Sequence, residues 1–348
     1  MSDYVELLKR GGNEAIKINP PTGADFHITS RGSDWLFTVF CVNLLFGVIL
    51  VPLMFRKPVK DRFVYYTAIA PNLFMSIAYF TMASNLGWIP VRAKYNHVQT
   101  STQKEHPGYR QIFYARYVGW FLAFPWPIIQ MSLLGGTPLW QIAFNVGMTE
   151  IFTVCWLIAA CVHSTYKWGY YTIGIGAAIV VCISLMTTTF NLVKARGKDV
   201  SNVFITFMSV IMFLWLIAYP TCFGITDGGN VLQPDSATIF YGIIDLLILS
   251  ILPVLFMPLA NYLGIERLGL IFDEEPAEHV GPVAEKKMPS PASFKSSDSD
   301  SSIKEKLKLK KKHKKDKKKA KKAKKAKKAK KAKKAQEEEE EDVATDSE

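Results

Sequence analysis

Residues 35–55 read WLFTVFCVNLLFGVILVPLMF, an apolar run without a single charged side chain. A helix rises about 1.5 Å per residue, so roughly 20 such residues cross the hydrocarbon of a bilayer. Outward from this run, six more stretches reach that length, near 65–89, 112–134, 139–162, 170–193, 203–225 and 238–263. They are uniformly apolar rather than alternating, and lipid leaves no backbone amide unpaired without large cost. The predicted fold is therefore an all-α membrane bundle of seven transmembrane helices, not a barrel. Pro71, Pro125, Pro127, Pro220, Pro253 and Pro258 fall inside these stretches and are expected to kink them. The averages of 49% hydrophobic and 21% charged residues conceal a division, because most of the net charge of +12 lies after Phe272. A soluble enzyme is excluded.

The first apolar run follows a polar stretch with Asp3, Glu6, Lys9, Arg10 and Glu14, so no signal peptide is expected and insertion relies on the first span. Cys41, Cys155, Cys161, Cys182 and Cys222 all fall in apolar runs and read as small buried hydrophobes, with no metal site or disulfide framework. The motifs of P-loop, serine-hydrolase and zinc-protease chemistry are missing, and no catalytic residues are proposed. Basic residues sit in the first connection (Arg56, Lys57, Lys60, Arg62) and the fifth (Lys194, Arg196, Lys198), whereas the sixth holds Asp227 and Asp235 without a cation. Odd connections are thus expected inside. This gives an outside segment 1–34, a bundle 35–265 and a cytosolic tail 266–348. The second connection, 90–111, opposes the rule with Arg92, Lys94, Lys104 and Arg110, and is long enough for a hairpin.

The tail passes from a Pro/Ser stretch through Ala-Lys-Lys repeats between Lys319 and Ala335 to an acidic run, Glu337–Asp342. Such low-complexity sequence cannot bury a core. Its expected partners are the bilayer and anionic inner-leaflet lipids, at roughly 1 kcal/mol per lysine near the surface, with other membrane proteins as further candidates. Ser290, Ser293, Ser296, Ser297, Ser299, Ser301 and Ser302 are candidate phosphosites, several of them beside carboxylates. Phosphate there would weaken the attraction to the leaflet. The lysine run lacks interleaved aromatics, so nucleic acid is not an expected partner.

Within the predicted spans three strongly ionisable residues stand out: Arg116, Glu150 and Asp245. A charge at mid-membrane costs about 2.5–3.5 kcal/mol on insertion scales, so such groups turn inward and pair. Arg116 and Asp245 are the expected partners. Glu150 has no obvious cation and is a candidate buried acid. His163, near a span end, is expected at the interface.

The third span, Arg116-Tyr117-Val118-Gly119-Trp120 followed by Pro125, resembles the Arg-Tyr-x-Asp-Trp third helix of microbial rhodopsins. Ala218-Tyr219-Pro220 resembles that family's sixth-helix Ala-Tyr-Pro, and Asp245 stands where its seventh helix carries a counter-ion aspartate. The chain is most similar to the fungal branch of opsin-like stress proteins of the yeast plasma membrane. Against that resemblance the departures are chemical. The family's retinal-bearing lysine lies four residues after the seventh-helix aspartate, where this chain has Leu249. A Schiff base needs a lysine nitrogen, and no predicted span holds a lysine, so no covalent retinal and no cofactor is expected. The proton-acceptor aspartate corresponds to Gly119 and the donor carboxylate to Gln130; the two sixth-helix tryptophans correspond to Leu216 and Phe223. Arg116, Tyr117, Trp120, Tyr219, Pro220, Phe223 and Asp245 remain as an opsin-like pocket and charge pair. The resemblance implies a non-photoactive, multi-pass plasma-membrane protein of stress adaptation that is not an enzyme. A passive proton or ion conduit through Arg116, Glu150 and Asp245 is the alternative, as is a sensor that holds a hydrophobic ligand without a covalent bond.

Overall fold

A computed structural model describes residues 12–93, 95 and 108–263. Among these, seven helices are long and apolar enough to span a membrane: α1 Ser30–Phe55, α2 Arg62–Ala83, α3 Tyr114–Gly135, α4 Leu139–Cys161, α5 Lys167–Lys194, α6 Lys198–Gly228 and α7 Pro234–Leu263. Each packs on the next, α7 returns to α1, and α3 reaches across to α6 and α7. The tail from residue 266 onward, with all seven candidate phosphosites, lies outside the described residues.

Several helices begin before the apolar runs do, and the first is extended by a polar cap. α1 starts at Ser30, five residues ahead of Trp35; the Thr29 hydroxyl accepts from the Arg31 amide at 3.3 Å. Asp235, in the first turn of α7, accepts from the Thr29 amide at 2.8 Å and from its hydroxyl at 2.5 Å, tying the two helix starts together. A side-chain cap of this kind satisfies amides that the first turn cannot. α5 begins at Lys167 and α6 runs to Gly228, so Lys167 and Asp227 belong to helices rather than to the connections where their polarity suggested they lay.

The second connection does form a hairpin. β1 (Ile89–Arg92) pairs antiparallel with β2 (Tyr109–Ile112), Val91 opposite Arg110, and Phe26 of the amino-terminal segment bridges to Arg110 from the other side. Arg110 is thereby carried over the end of the bundle.

The prolines act in distinct ways. Pro125 ends the first half of α3 at Phe124 and starts the second. Pro220 and Pro253 each follow a π-turn, at Leu214–Ala218 and Leu246–Ile251. Proline offers no amide to the preceding turn and crowds its carbonyl, and a widened i→i+5 turn absorbs both defects at the cost of one added residue. α2 and α7 run on through Pro71 and Pro258.

Candidate functional site

Asp245 closes the first α-helical part of α7 and is 1% exposed. Its carboxylate accepts from Tyr79 Oη at 2.6 Å, Trp120 Nε1 at 2.9 Å and Tyr219 Oη at 2.5 Å. Three neutral donors, one each from α2, α3 and α6, replace the solvation that burial removed; hydrogen bonds to a charged group are among the stronger ones.

The expected Arg116–Asp245 pair does not form. Arg116 stands four residues, about 6 Å along α3, before Trp120, and Trp120 takes the place beside Asp245. One turn before Asp245, the ring of Tyr241 lies under the Arg116 guanidinium at 4.1 Å. The carboxylate Arg116 meets is Asp227, its Nη1 standing 3.7 Å from Oδ2. Asp227 sits in a π-turn, Gly224–Gly228, that ends α6 and turns its side chain inward.

Around Asp227 the end of the bundle collects charge. Tyr117 Oη donates to Asp227 Oδ2 at 2.8 Å, Lys167 Nζ donates to the Asp227 backbone carbonyl at 3.0 Å, and Arg110 Nε lies 3.8 Å from Oδ1. Arg110 Nη1 also donates to Asn230 Oδ1 at 2.6 Å and to the Leu232 carbonyl at 2.9 Å. Arg110, Arg116 and Lys167 are 2–3% exposed and Asp227 is 7% exposed. Burial pushes the Arg110 guanidinium below its ordinary value, and Asp227 opposes that shift. Counting cations for orientation placed Arg110 in a connection, and Lys167 and Asp227 fell just beyond the apolar runs. The signal that could have found them is that Asp227 and Arg110 sit within a few residues of span ends that must meet.

Glu150 does not join either centre. It is half-buried, its Oε2 has no hydrogen-bond partner, and among the described residues no cation lies within ion-pair distance. The three ionisable residues of the spans therefore do not converge. His163 is exposed, with Nδ1 2.9 Å from the Arg92 carbonyl.

Leu249, in the π-turn of α7, is fully buried. The other positions of the opsin-like pocket are closed from several sides. A side chain at Gly119 would place Cβ 2.6 Å from that of Ala78 and 3.2 Å from Met75 sulfur, so α2 excludes an acceptor carboxylate there. Gln130 is buried and donates to Thr67 Oγ1 at 3.0 Å. The sixth-helix position facing the pocket is not Leu216, which is half-buried, but Trp215, which is 1% exposed. The π-turn adds a residue, so the side chain four before Tyr219 points inward instead of the one three before. Trp215 packs on Phe124 (5.9 Å between centroids) and Phe152 (5.2 Å); Phe152 packs on Trp156 (4.5 Å), which meets Phe223 (5.0 Å). Trp120 touches Phe124 at 5.5 Å and Tyr219 at 5.3 Å. These are ordinary ring-contact separations, so the aromatic walls meet one another directly.

Comparison with known proteins agrees with this geometry. The family described as bacteriorhodopsin-like protein matches residues 31–260. Protein MRH1 of Saccharomyces cerevisiae is 73% identical over 293 residues, 84% of this chain and 92% of that protein. The 30 kDa heat shock protein of the same yeast is 38% identical, covering 69% of this chain and 76% of that one. Among solved structures, the light-driven proton pump LR (Mac) from Leptosphaeria maculans superposes with a TM-score of 0.62 at 25% identity, over 69% of this chain and 98% of that chain.

Proposed function

The chain belongs to the bacteriorhodopsin-like family, and on that premise we propose that it is a non-photoactive member, an opsin scaffold that works by interaction rather than by light chemistry or catalysis. Leu249 carries the reading. A retinal Schiff base needs an amine about one helical turn beyond Asp245, and a buried hydrocarbon side chain fills that place. Among the described residues the one buried lysine is Lys167, at the start of α5, where its Nζ is held by the Asp227 carbonyl. The residues present do not fit covalent retinal, and the mutual contacts of Phe124, Phe152, Trp156 and Trp215 leave the aromatic core packed on itself.

The role we assign is membrane stress adaptation at the plasma membrane, supported by similarity to a yeast heat shock protein. In this reading the basic first and fifth connections put the amino terminus outside and the lysine-rich tail in the cytosol against anionic lipid. A conduit is less well supported, because Glu150 stands apart from Arg116 and Asp245. A hydrophobic-ligand sensor is less well supported because the rings already contact one another.

The test is reconstitution of the purified full chain with all-trans retinal. The expected result is the absorption spectrum of free retinal alone. A red-shifted visible band that survives gel filtration would overturn the reading.

A further inference from the structure

The cation-rich end of the bundle has more positive charge and more donors than the described residues there satisfy. Arg110, Arg116 and Lys167 are all nearly inaccessible; among the described residues Asp227 is the one carboxylate in ion-pair contact with Arg110 and Arg116, and Lys167 has none. Asp245 does not relieve them, since its oxygens are taken by Tyr79, Trp120 and Tyr219. Both carboxylate–guanidinium separations, 3.7 and 3.8 Å, exceed hydrogen-bond reach. The Nε atoms of Arg110 and Arg116 are buried with no acceptor. An ammonium has three protons to donate, and the acceptor found for Lys167 Nζ is the Asp227 carbonyl.

A small cavity lies at this point, bordered by Arg92, Arg110, Lys167, Asp227 and Asn230, with about 10 Å³ open to the centre of a water-sized sphere. That is room for roughly one water or one monatomic ion, too little for an oxyanion such as sulfate. Water would supply acceptors but leave the buried charge excess in place. An anion supplies both, and an uncompensated buried charge is the more expensive defect. We propose that this cavity binds a single monovalent halide-sized anion, chloride under physiological conditions, held by Arg110 and Lys167 between the hairpin, the start of α5 and the end of α6. The Asp227 carboxylate also borders the cavity, but it is engaged by Tyr117 and faces Arg116, and the lining stays net positive with Arg92 added. The inference does not rest on the absence of a chromophore and would stand if that reading fell.

The experiment uses the full chain in lipid nanodiscs at fixed ionic strength, replacing sodium gluconate stepwise by chloride or bromide. The thermal midpoint is expected to rise and saturate with either halide, and sulfate is expected to give no such saturable rise. Lys167→Gln is expected to abolish the halide-dependent part. If that variant does not fold, bromide anomalous scattering from crystals of the unsubstituted protein decides the matter. A peak between Arg110 and Lys167 supports the site. Equal midpoints in chloride and gluconate, halide stabilisation that is unchanged in Lys167→Gln, or a water and no bromide in the cavity would each overturn it.

Discussion

Two buried carboxylates, Asp245 at the centre of the bundle and Asp227 at its end, are stabilised in opposite ways. Asp245 is surrounded by neutral hydroxyl and indole donors in an aromatic core, whereas Asp227 is surrounded by Arg110, Arg116 and Lys167. In the first case hydrogen bonds alone replace water; in the second, one anion offsets several cations. The lesson is that a scaffold without the amine of a Schiff base can retain its central carboxylate when enough neutral donors converge on it, while its cations regroup elsewhere.

The contrast can be broken most forcefully at Asp227. Asp227→Ala leaves the two buried guanidiniums of Arg110 and Arg116 without their carboxylate and is expected to cost about 3–5 kcal/mol, read as a large drop in thermal midpoint. If Asp227→Ala were as stable as the parent, Asp227 would not be what holds the buried guanidiniums at the end of the bundle. A smaller effect is expected at the centre: Tyr219→Phe deletes one hydrogen bond to a buried carboxylate, at about 1.5–3 kcal/mol in chemical unfolding. Tyr79→Phe should match it, and additivity in the double variant would show that the two hydroxyls act separately; strong coupling is expected instead, because both bond Asp245. Smallest is Asp235→Ala, which removes the cap joining α1 to α7 and should cost about 1 kcal/mol while leaving both centres intact. A loss as large as that of Asp227→Ala would mean that the helix starts, not the buried charges, dominate stability.

Much of this architecture is readable from residue order. Seven apolar runs become seven spans, and Trp120, Tyr219 and Asp245 do meet, since their spacing fixes the faces of α3, α6 and α7. The partner of Arg116 was not readable, because the π-turn Gly224–Gly228, which turns Asp227 inward, decides which carboxylate it meets. Apolar length alone also truncates helices whose ends are polar, which hid Lys167 and Asp227. The inward turn of Trp215 has the same origin: helical periodicity assumes 3.6 residues per turn, and a π-turn before Pro220 breaks that assumption. The π-turn at Leu185–Thr189 has no proline after it, and the structure gives no physical reason for it.

The central claim, that a hydrocarbon at position 249 leaves the bundle without a tethered chromophore, is tested most directly by intact mass. Protein purified from native membranes and treated with borohydride and phosphatase is predicted to show the mass of the polypeptide alone. A further increment equal to a reduced retinyl group, located by fragmentation to any lysine, would contradict the account.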